Sequence, residues 1–562
     1  MGAGSSTEQV PPQQREVEAL AASTGALPML QKAFSRLVDP QIHSVPVISL
    51  QQCFSITFEN TLCEASSMPD CFMGLFDHLG PSIVDLFFVT EKGGISWIEF
   101  LRGYIKCCWR TTASTSLNNL LRIFAAVAVK AGLPAKLQFE SGDADCKVNG
   151  SLISVDILML LWMSWIMSWN SRKLKSSEGI ADCGLPDISH LVLSAVVSCT
   201  EVGSELNVWD CDILCLDVQL PAGKIHVWAL KTVPSLADCF TQFVHARLCS
   251  SLTSEDKLEP SCSSVSDISS TTGCNTYLLT RGRAWAISLT LKSPLSEGIL
   301  KVCFPGDGDR TNESPLYRSS LHGKGLNRFW SNVEGYKGPM LTLIAASSGD
   351  PDGNASIRRW IIGALTHQGY ENRDVFYGSS GSIYAISPVF HVFSASGKAK
   401  NFVYSHLHPA GRVYDPHPKP VGIAFGGSIG GERIFVDEDF ARLTIRHNAV
   451  DKTYQPGALF PDQSPKTRPH PSKPIPIGGI SSSLHRISLV IDELSSLFTY
   501  SVNFRKGCTV DELSGRVSLL QTEVLTWKTS PALVTYRQQY LQSAIWGSYL
   551  LKLWLSKWKY GD

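Results

Sequence analysis

The chain has 562 residues, with 50 Lys+Arg against 50 Asp+Glu and a formal net charge of zero. That balance argues against a globally basic nucleic-acid-binding surface. Hydrophobic residues at 44% and charged residues at 18% permit sizeable buried cores, and the length implies about three or four units.

The N-terminus reads "MGAGSSTEQV". Removal of Met1 exposes Gly2, and Ser6 stands where the pattern M-G-x-x-x-[ST] for N-myristoylation requires a hydroxyl. Residues 1–26 are expected to be disordered around this signal. One myristoyl chain binds a membrane only reversibly, so a second contact has to come from elsewhere in the chain.

From residue 27 to 170 the apolar spacing is helical, as in "LPMLQKAFSRLV" and "LNNLLRIFAAVAVKAGL". Two loops in this module have the outline of EF-hands. In "DCKVNGSLISVD", Asp145, Asn149 and Asp156 take positions 1, 5 and 12, with Gly150 at the turn and Leu152 at the apolar eighth position. Lys147 replaces an oxygen ligand at the third position. In "FVTEKGGISWIE", Gly93, Ile95 and Glu99 fit positions 6, 8 and 12, while Phe88 and Lys92 replace ligands at 1 and 5. A degenerate EF-hand-like scaffold kept for packing is the expectation. Weak calcium binding at Asp145, Asn149 and Asp156 is the alternative, and no other cofactor is indicated. The apolar run "ILMLLWMSWIMSW" is too short for the ~20 residues of a membrane-spanning helix and reads as a buried helix.

Residues 171–249 read as a connector mixing the strand-like "GKIHVWAL" with the helical "SLADCFTQFVHARL". Residues 250–275 are Ser-rich and read as a flexible linker. The 16 cysteines show no zinc-site spacing, the Cys107-Cys108 doublet and the Cys211/Cys215 pair included. Without a secretory signal they read as reduced, mostly buried thiols.

A further unit is expected over residues 276–462, with its core at 316–460. Runs such as "MLTLIAA", "SIYAISPVFHVF" and "NFVYS" are rich in β-branched and aromatic residues between Gly-, Ser- and Asn-rich breaks. They point to a compact antiparallel sheet or sandwich. Within it, "VGIAFGGSIGGERIFVDEDF" sets Gly426, Gly427, Gly430 and Gly431 beside Asp437, Glu438 and Asp439. A phosphate-binding loop requires Lys and Ser/Thr where Glu432 and Arg433 stand. The glycines therefore read as a tight strand connection using positive φ. Asp437 and Asp439 would share one face of a strand, in salt bridges, turn caps or a partner contact. His406, His408, Asp415 and His417 form a weaker metal candidate in a Pro/Gly-rich loop. Ser379 and Ser380 have no base placed for hydrolysis.

The ordered series "LYRSSLHGKGLNRFWSNVEGYKGPMLTLIAASSG", "RRWIIGAL", "FYGSSGSIYAISP", "NFVYSHLH", "GIAFGG" and "FVDEDF" resembles the TLDc domain of the oxidation-resistance family. Together with the Gly2 signal and the helical module, the layout is similar to that of myristoylated, lysosome-linked members and their plant relatives. The resemblance implies an α+β protein, in which an EF-hand-like helical module precedes a TLDc β-sandwich with flanking helices. It marks Asp437, Glu438 and Asp439 as a family signature without a catalytic mechanism. It further implies a non-enzymatic adaptor in oxidative-stress protection or endolysosomal signalling, with the vacuolar proton ATPase as protein partner and no nucleic acid. Such a protein is cytoplasmic and peripheral on endolysosomal or vacuolar membranes, with the nucleus left open. The rival readings are a metal- or redox-dependent enzyme using the acidic box and a calcium-responsive switch.

Residues 463–484 read as a Pro/Ser-rich linker where a closing strand is expected, with "ISLVIDEL" and "TEVLTW" as poor substitutes. Residues 485–562 form an atypical C-terminal segment. It ends in a helix whose Trp546, Leu550, Trp554 and Trp558 make an i, i+4 stripe beside Lys552, Lys557 and Lys559. That pattern suits a membrane surface, a partner groove or the protein's own core.

Overall fold

A computed structural model of the chain describes residues 11–459, 475–478 and 480–486, apart from 58–67, 89–92, 109–111, 135, 141–146, 176–183, 202–205, 251–277, 293–294, 305–314, 348–357, 409–417 and 447–450. The Gly2 signal, the Ser-rich linker, Asp145, the Asp415/His417 part of the histidine loop and the C-terminal helix all lie outside the described residues. The architecture is α+β, with a helical half preceding two antiparallel sheets.

The helical half begins with α1 (Pro12–Ser23), α2 (Leu27–Leu37), β1 (Val45–Pro46) and α3 (Val47–Cys53). It continues through α4 (Gly74–Asp77), α5 (Leu79–Phe87), β2 (Gly94–Ile95), α6 (Trp97–Cys108) and α7 (Ala113–Lys130). Next come β3 (Lys136–Phe139), β4 (Val148–Leu152), α8 (Ser154–Lys175) and α9 (Ser189–Cys199). The half closes with β5 (Leu220–Pro221), α10 (Ala222–Thr232), α11 (Asp238–Ser250), α12 (Arg281–Ser288) and α13 (Leu295–Cys303).

Two sequence expectations change here. Residues 12–23 form α1 rather than a disordered leader. Pro12 suits the first helical turn, Val17 and Ala21 are buried, and Glu18 accepts the Trp97 indole N–H at 2.8 Å. "GKIHVWAL" is helical, not a strand. Its β-branched content suggested a strand, but Ala222, Ile225, Trp228, Ala229 and Thr232 are the buried positions of α10, a helical spacing that packing enforces. By contrast α8 is the expected buried helix. Trp162 is fully buried and donates to the Pro186 carbonyl at 3.0 Å, and Trp165 meets Trp285 edge-on. Among the described residues no helix is long and apolar enough to cross a membrane.

The β half opens with β6 (Tyr317–Arg318), α14 (Ser319–His322) and α15 (Leu326–Val333). The strands that follow are β7 (Met340–Ser347), β8 (Arg359–Thr366), β9 (Arg373–Tyr377), β10 (Gly381–Ser387), β11 (His391–Ser394) and β12 (Val403–His406). The last are β13 (Gly422–Phe425), β14 (Ile434–Asp437), β15 (Arg442–Ile445), β16 (Ile475–Gly478) and β17 (Ile480–Arg486). One sheet runs β11-β10-β8-β7-β17-β6 and the other β16-β15-β14-β13-β12-β9.

The first sheet is buried on both faces, which explains why its strands read as continuous apolar runs rather than alternating ones. Leu341, Leu343, Leu365, Tyr384 and Ile386 point into the core shared with the helices. Met340, Ile344, Ile362, Ala364 and Ile383 point the other way, into the core shared with the second sheet. Thr290 and Tyr384 hydroxyls meet at 3.1 Å across the helix–sheet boundary, and Phe390 donates its amide to the His190 carbonyl at 3.0 Å.

The expected 463–484 linker is also revised. Residues 475–478 pair with β15, and residues 480–486 insert between β7 and β6, before either of the segments considered as closing strands. Pro476 is tolerated because β16 is the outermost strand of its sheet.

Candidate functional site

The glycine-rich stretch connects β13 to β14 and turns through left-handed backbone at Gly426, Gly427 and Gly430, with φ of +70°, +83° and +83°. Gly431 is not in that region, so three of the four expected positions use glycine's freedom. Gly427 is the most restricted. A Cβ there would sit 2.3 Å from the Gly431 carbonyl oxygen, and the Gly427 N–H donates to Asp451 Oδ1 at 3.1 Å.

The acids lie one turn further on, between β14 and β15. Asp437 is the last residue of its strand rather than one of a facing pair. Its Oδ1 accepts the amides of Ala441 at 2.8 Å and Arg442 at 3.1 Å, closing the hairpin. Glu438 and Asp439 stand exposed in the turn, and the Glu438 carbonyl accepts the Leu326 amide at the start of α15, 2.8 Å away. Phe440 completes the turn at φ +54°, with its ring buried against Tyr317 and Phe329. The acids therefore shape a hairpin and tie it to a helix.

A polar cluster that the sequence did not single out lies behind the glycines. Arg433 and Asp451 form an ion pair at 3.4 Å, with side chains 4% and 3% exposed. Arg433 also donates to the carbonyls of Gln455 at 2.7 Å and Gly457 at 2.8 Å, and its guanidinium lies 4.5 Å from the Phe393 ring centroid. Burial draws its pKa down while Asp451 opposes that shift. Next to it, Glu432 accepts from Arg446 at 3.0 Å. These are the residues that break the phosphate-loop pattern. They serve instead to knit β14, β15 and residues 451–457 together. The visible signal was a charged pair inside an otherwise apolar strand entry; the partners, Arg446 and Asp451, are too distant in sequence to infer.

His406 is buried on β12 with its ring 4.9 Å from that of His408. Among the described residues no group of three or more His, Cys, Asp or Glu is placed to hold a metal. Ser379 and Ser380 occupy the short connection between β9 and β10. The described cysteines are free thiols. Burial pushes Cys53 and Cys199 up to about 11 and Cys239 to about 12, which makes them poor nucleophiles at neutral pH.

In the helical half, each of the two expected loops is bridged to a second helix–loop–helix. Ile95 pairs with Val45, and Leu152 with Leu220. The acids at the twelfth positions cap the helices that follow. Glu99 accepts the Ser96 amide at 2.7 Å while Ser96 Oγ accepts the Glu99 amide, a reciprocal capping box. Asp156 accepts the Ile153 amide at 2.9 Å, and burial raises its carboxyl pKa. Asn149 donates to Glu140 at 2.9 Å. In the two partner loops the equivalent residues are Pro46 and Pro221, which have no N–H to cap, and the twelfth positions are Ser49 and Lys224. The apolar–Pro dipeptide before each helix is the signal that would have found these units.

Residues 294–469 match the family model of the TLDc domain. No curated protein matches the chain. The matched span covers most of both sheets, and β16 and β17 lie just beyond it, completing them.

Proposed function

We propose that this chain, which carries a TLDc domain and with it the domain's link to oxidative-stress protection, is a non-enzymatic adaptor working at intracellular membranes. The observation that carries this reading is the use made of Asp437 and of the two buried carboxylates beside the glycine loop. Asp437 is spent on two turn amides, and Asp451 and Glu432 on arginines. A carboxylate committed in this way is a poor general base or metal ligand. The helical half supports an EF-hand-like scaffold used for packing, because Glu99 and Asp156 cap helices.

The pattern at Gly2 supports an N-myristoyl anchor. The family resemblance supports the endolysosomal or vacuolar membrane as the place of action and the vacuolar proton ATPase as the partner. Affinity capture with subunits of that ATPase as the sought prey tests the partner, and their absence at stoichiometric level overturns it. In a vesicle flotation assay Gly2→Ala should release the protein, and unchanged flotation removes the anchor.

A further inference from the structure

A groove of about 650 Å³ runs between α10 of the helical half and the β11 end of the first sheet. One side is a single face of α10, on which Lys224, Val227, Trp228 and Lys231 recur at i, i+3, i+4 and i+7. The other side is His391 to Phe393 and the segment 455–458, which Arg433 fixes through the Gln455 and Gly457 carbonyls. No Asp or Glu lines the groove. Among the described residues, neither lysine is paired with a carboxylate.

The basic character has a local origin. Lys224 stands where two of the other three bridged loops carry a capping acid, Glu99 or Asp156, and Pro221 removes the amide such an acid would accept. Pro221 makes no side-chain cap to α10, and Lys224 lies in the helix's first turn, where the dipole favours negative charge. Lys231 lies seven residues on, about 10 Å along the axis. Between the two lysines, Val227 is 63% exposed. Opposite, β11 is the outermost strand of its sheet, and its Ser394 carbonyl accepts the Gln455 amide at 2.9 Å, which holds the 455–458 wall of the groove in place.

We propose that this groove docks an acidic, extended peptide segment of a partner protein. Two of its carboxylates, about 10 Å apart, meet Lys224 and Lys231, and an apolar residue between them covers Val227 and Phe393. A polyproline-like chain brings residues i and i+3 to one side with about 9 Å between them, which matches the lysine spacing. The apolar centre and the length distinguish this from a site for a small anion. The proposal rests on the adaptor reading only for its biological use. Peptide binding is measured on the purified chain, so it stands or falls separately from the ATPase capture.

The probe is a fluorescein-labelled, C-terminally amidated peptide of sequence EVPE, titrated with the full chain by anisotropy. Saturable binding is expected. Lys224→Glu with Lys231→Glu should weaken it by at least about tenfold, and high salt should weaken it similarly. The matching QVPQ peptide should not bind. Both lysines are exposed, so an unchanged melting curve for the double variant shows that it folds. Equal binding by the double variant or by QVPQ, or no binding of EVPE, overturns the proposal. Full displacement by millimolar inorganic phosphate makes this a small-anion site and also overturns it. So does loss of sedimentation with phosphatidylserine vesicles in the double variant while EVPE binding is unaffected.

Discussion

β7, β8 and β10 bury both faces with apolar side chains, alternate residues serving two different cores. The β13–β14–β15 region buries Glu432 and Arg433, and the pairing with Asp451 and Arg446 determines how its hairpins sit. The first arrangement tolerates exchange among residues of similar volume, since any apolar side chain of the right size satisfies it. The second depends on identity. A buried charge without its partner is far more costly than a missing methylene.

The largest effect should follow from breaking that second arrangement. Arg433→Met strands the Asp451 carboxylate and frees the carbonyls of Gln455 and Gly457, and should cost about 3–5 kcal/mol in denaturant unfolding. Adding Asp451→Asn should restore part of that loss, because the two sites share one interaction. A cost under about 1 kcal/mol for Arg433→Met would show that the pair does not hold the hairpins. Next in size are Leu343→Ala and Ile362→Ala, on opposite faces of the first sheet, each about 2–5 kcal/mol. Comparable losses at the two positions are expected. A small loss confined to Leu343 would mean that the helices do not close that face.

This contrast also accounts for what could be read from the sequence. The strands of the first sheet were legible because a segment buried on both faces must be largely apolar, as "MLTLIAA" and the "WIIGAL" that follows the two arginines of "RRWIIGAL" are. The left-handed positions at Gly426, Gly427 and Gly430 were legible because few other residues adopt them. Strand order was not. β17 sits between β7 and β6, which are neighbours in sequence but not in the sheet, and "ISSSLHR" carries no strong β signal of its own. The buried ion pairs were hidden for a related reason: Arg433 and Asp451 are joined by tertiary structure alone. In "GKIHVWAL", local β-preference pointed the wrong way, and burial of one helical face overrode it.

The boundary between the helical half and the first sheet allows a smaller test through pH. His190 is buried there, with its ring against Phe390, Asp187 on the preceding turn and Arg283 from α12 nearby. Burial lowers its pKa, with Asp187 opposing and Arg283 reinforcing the shift. Below the ordinary histidine value of 6.5 the unfolded chain takes up this proton before the folded one. Stability should therefore fall as pH drops through that value. His245, His367 and His391 shift the same way, with burial the first cause in each. Thermal melting of His190→Gln should show a shallower loss between pH 6.5 and 5 than the parent. An identical slope would remove His190 from the effect, and acid stabilisation would reverse the sign argued here.

The smallest effect separates the three acids of the signature from one another. Asp437→Ala removes the acceptor for the Ala441 and Arg442 amides and should cost about 1 kcal/mol, as for other caps at partly exposed turns. Glu438→Ala and Asp439→Ala touch only exposed side chains and should stay within about 0.5 kcal/mol. Denaturant unfolding of the three single variants makes the comparison directly. Equal losses at all three would mean that the turn is held by its collective charge rather than by the cap at Asp437. With the expected ranking, Asp437 belongs to the fold, while Glu438 and Asp439 are exposed charges that the fold does not require. In that case a partner-binding measurement on Glu438→Ala and Asp439→Ala reads recognition rather than unfolding.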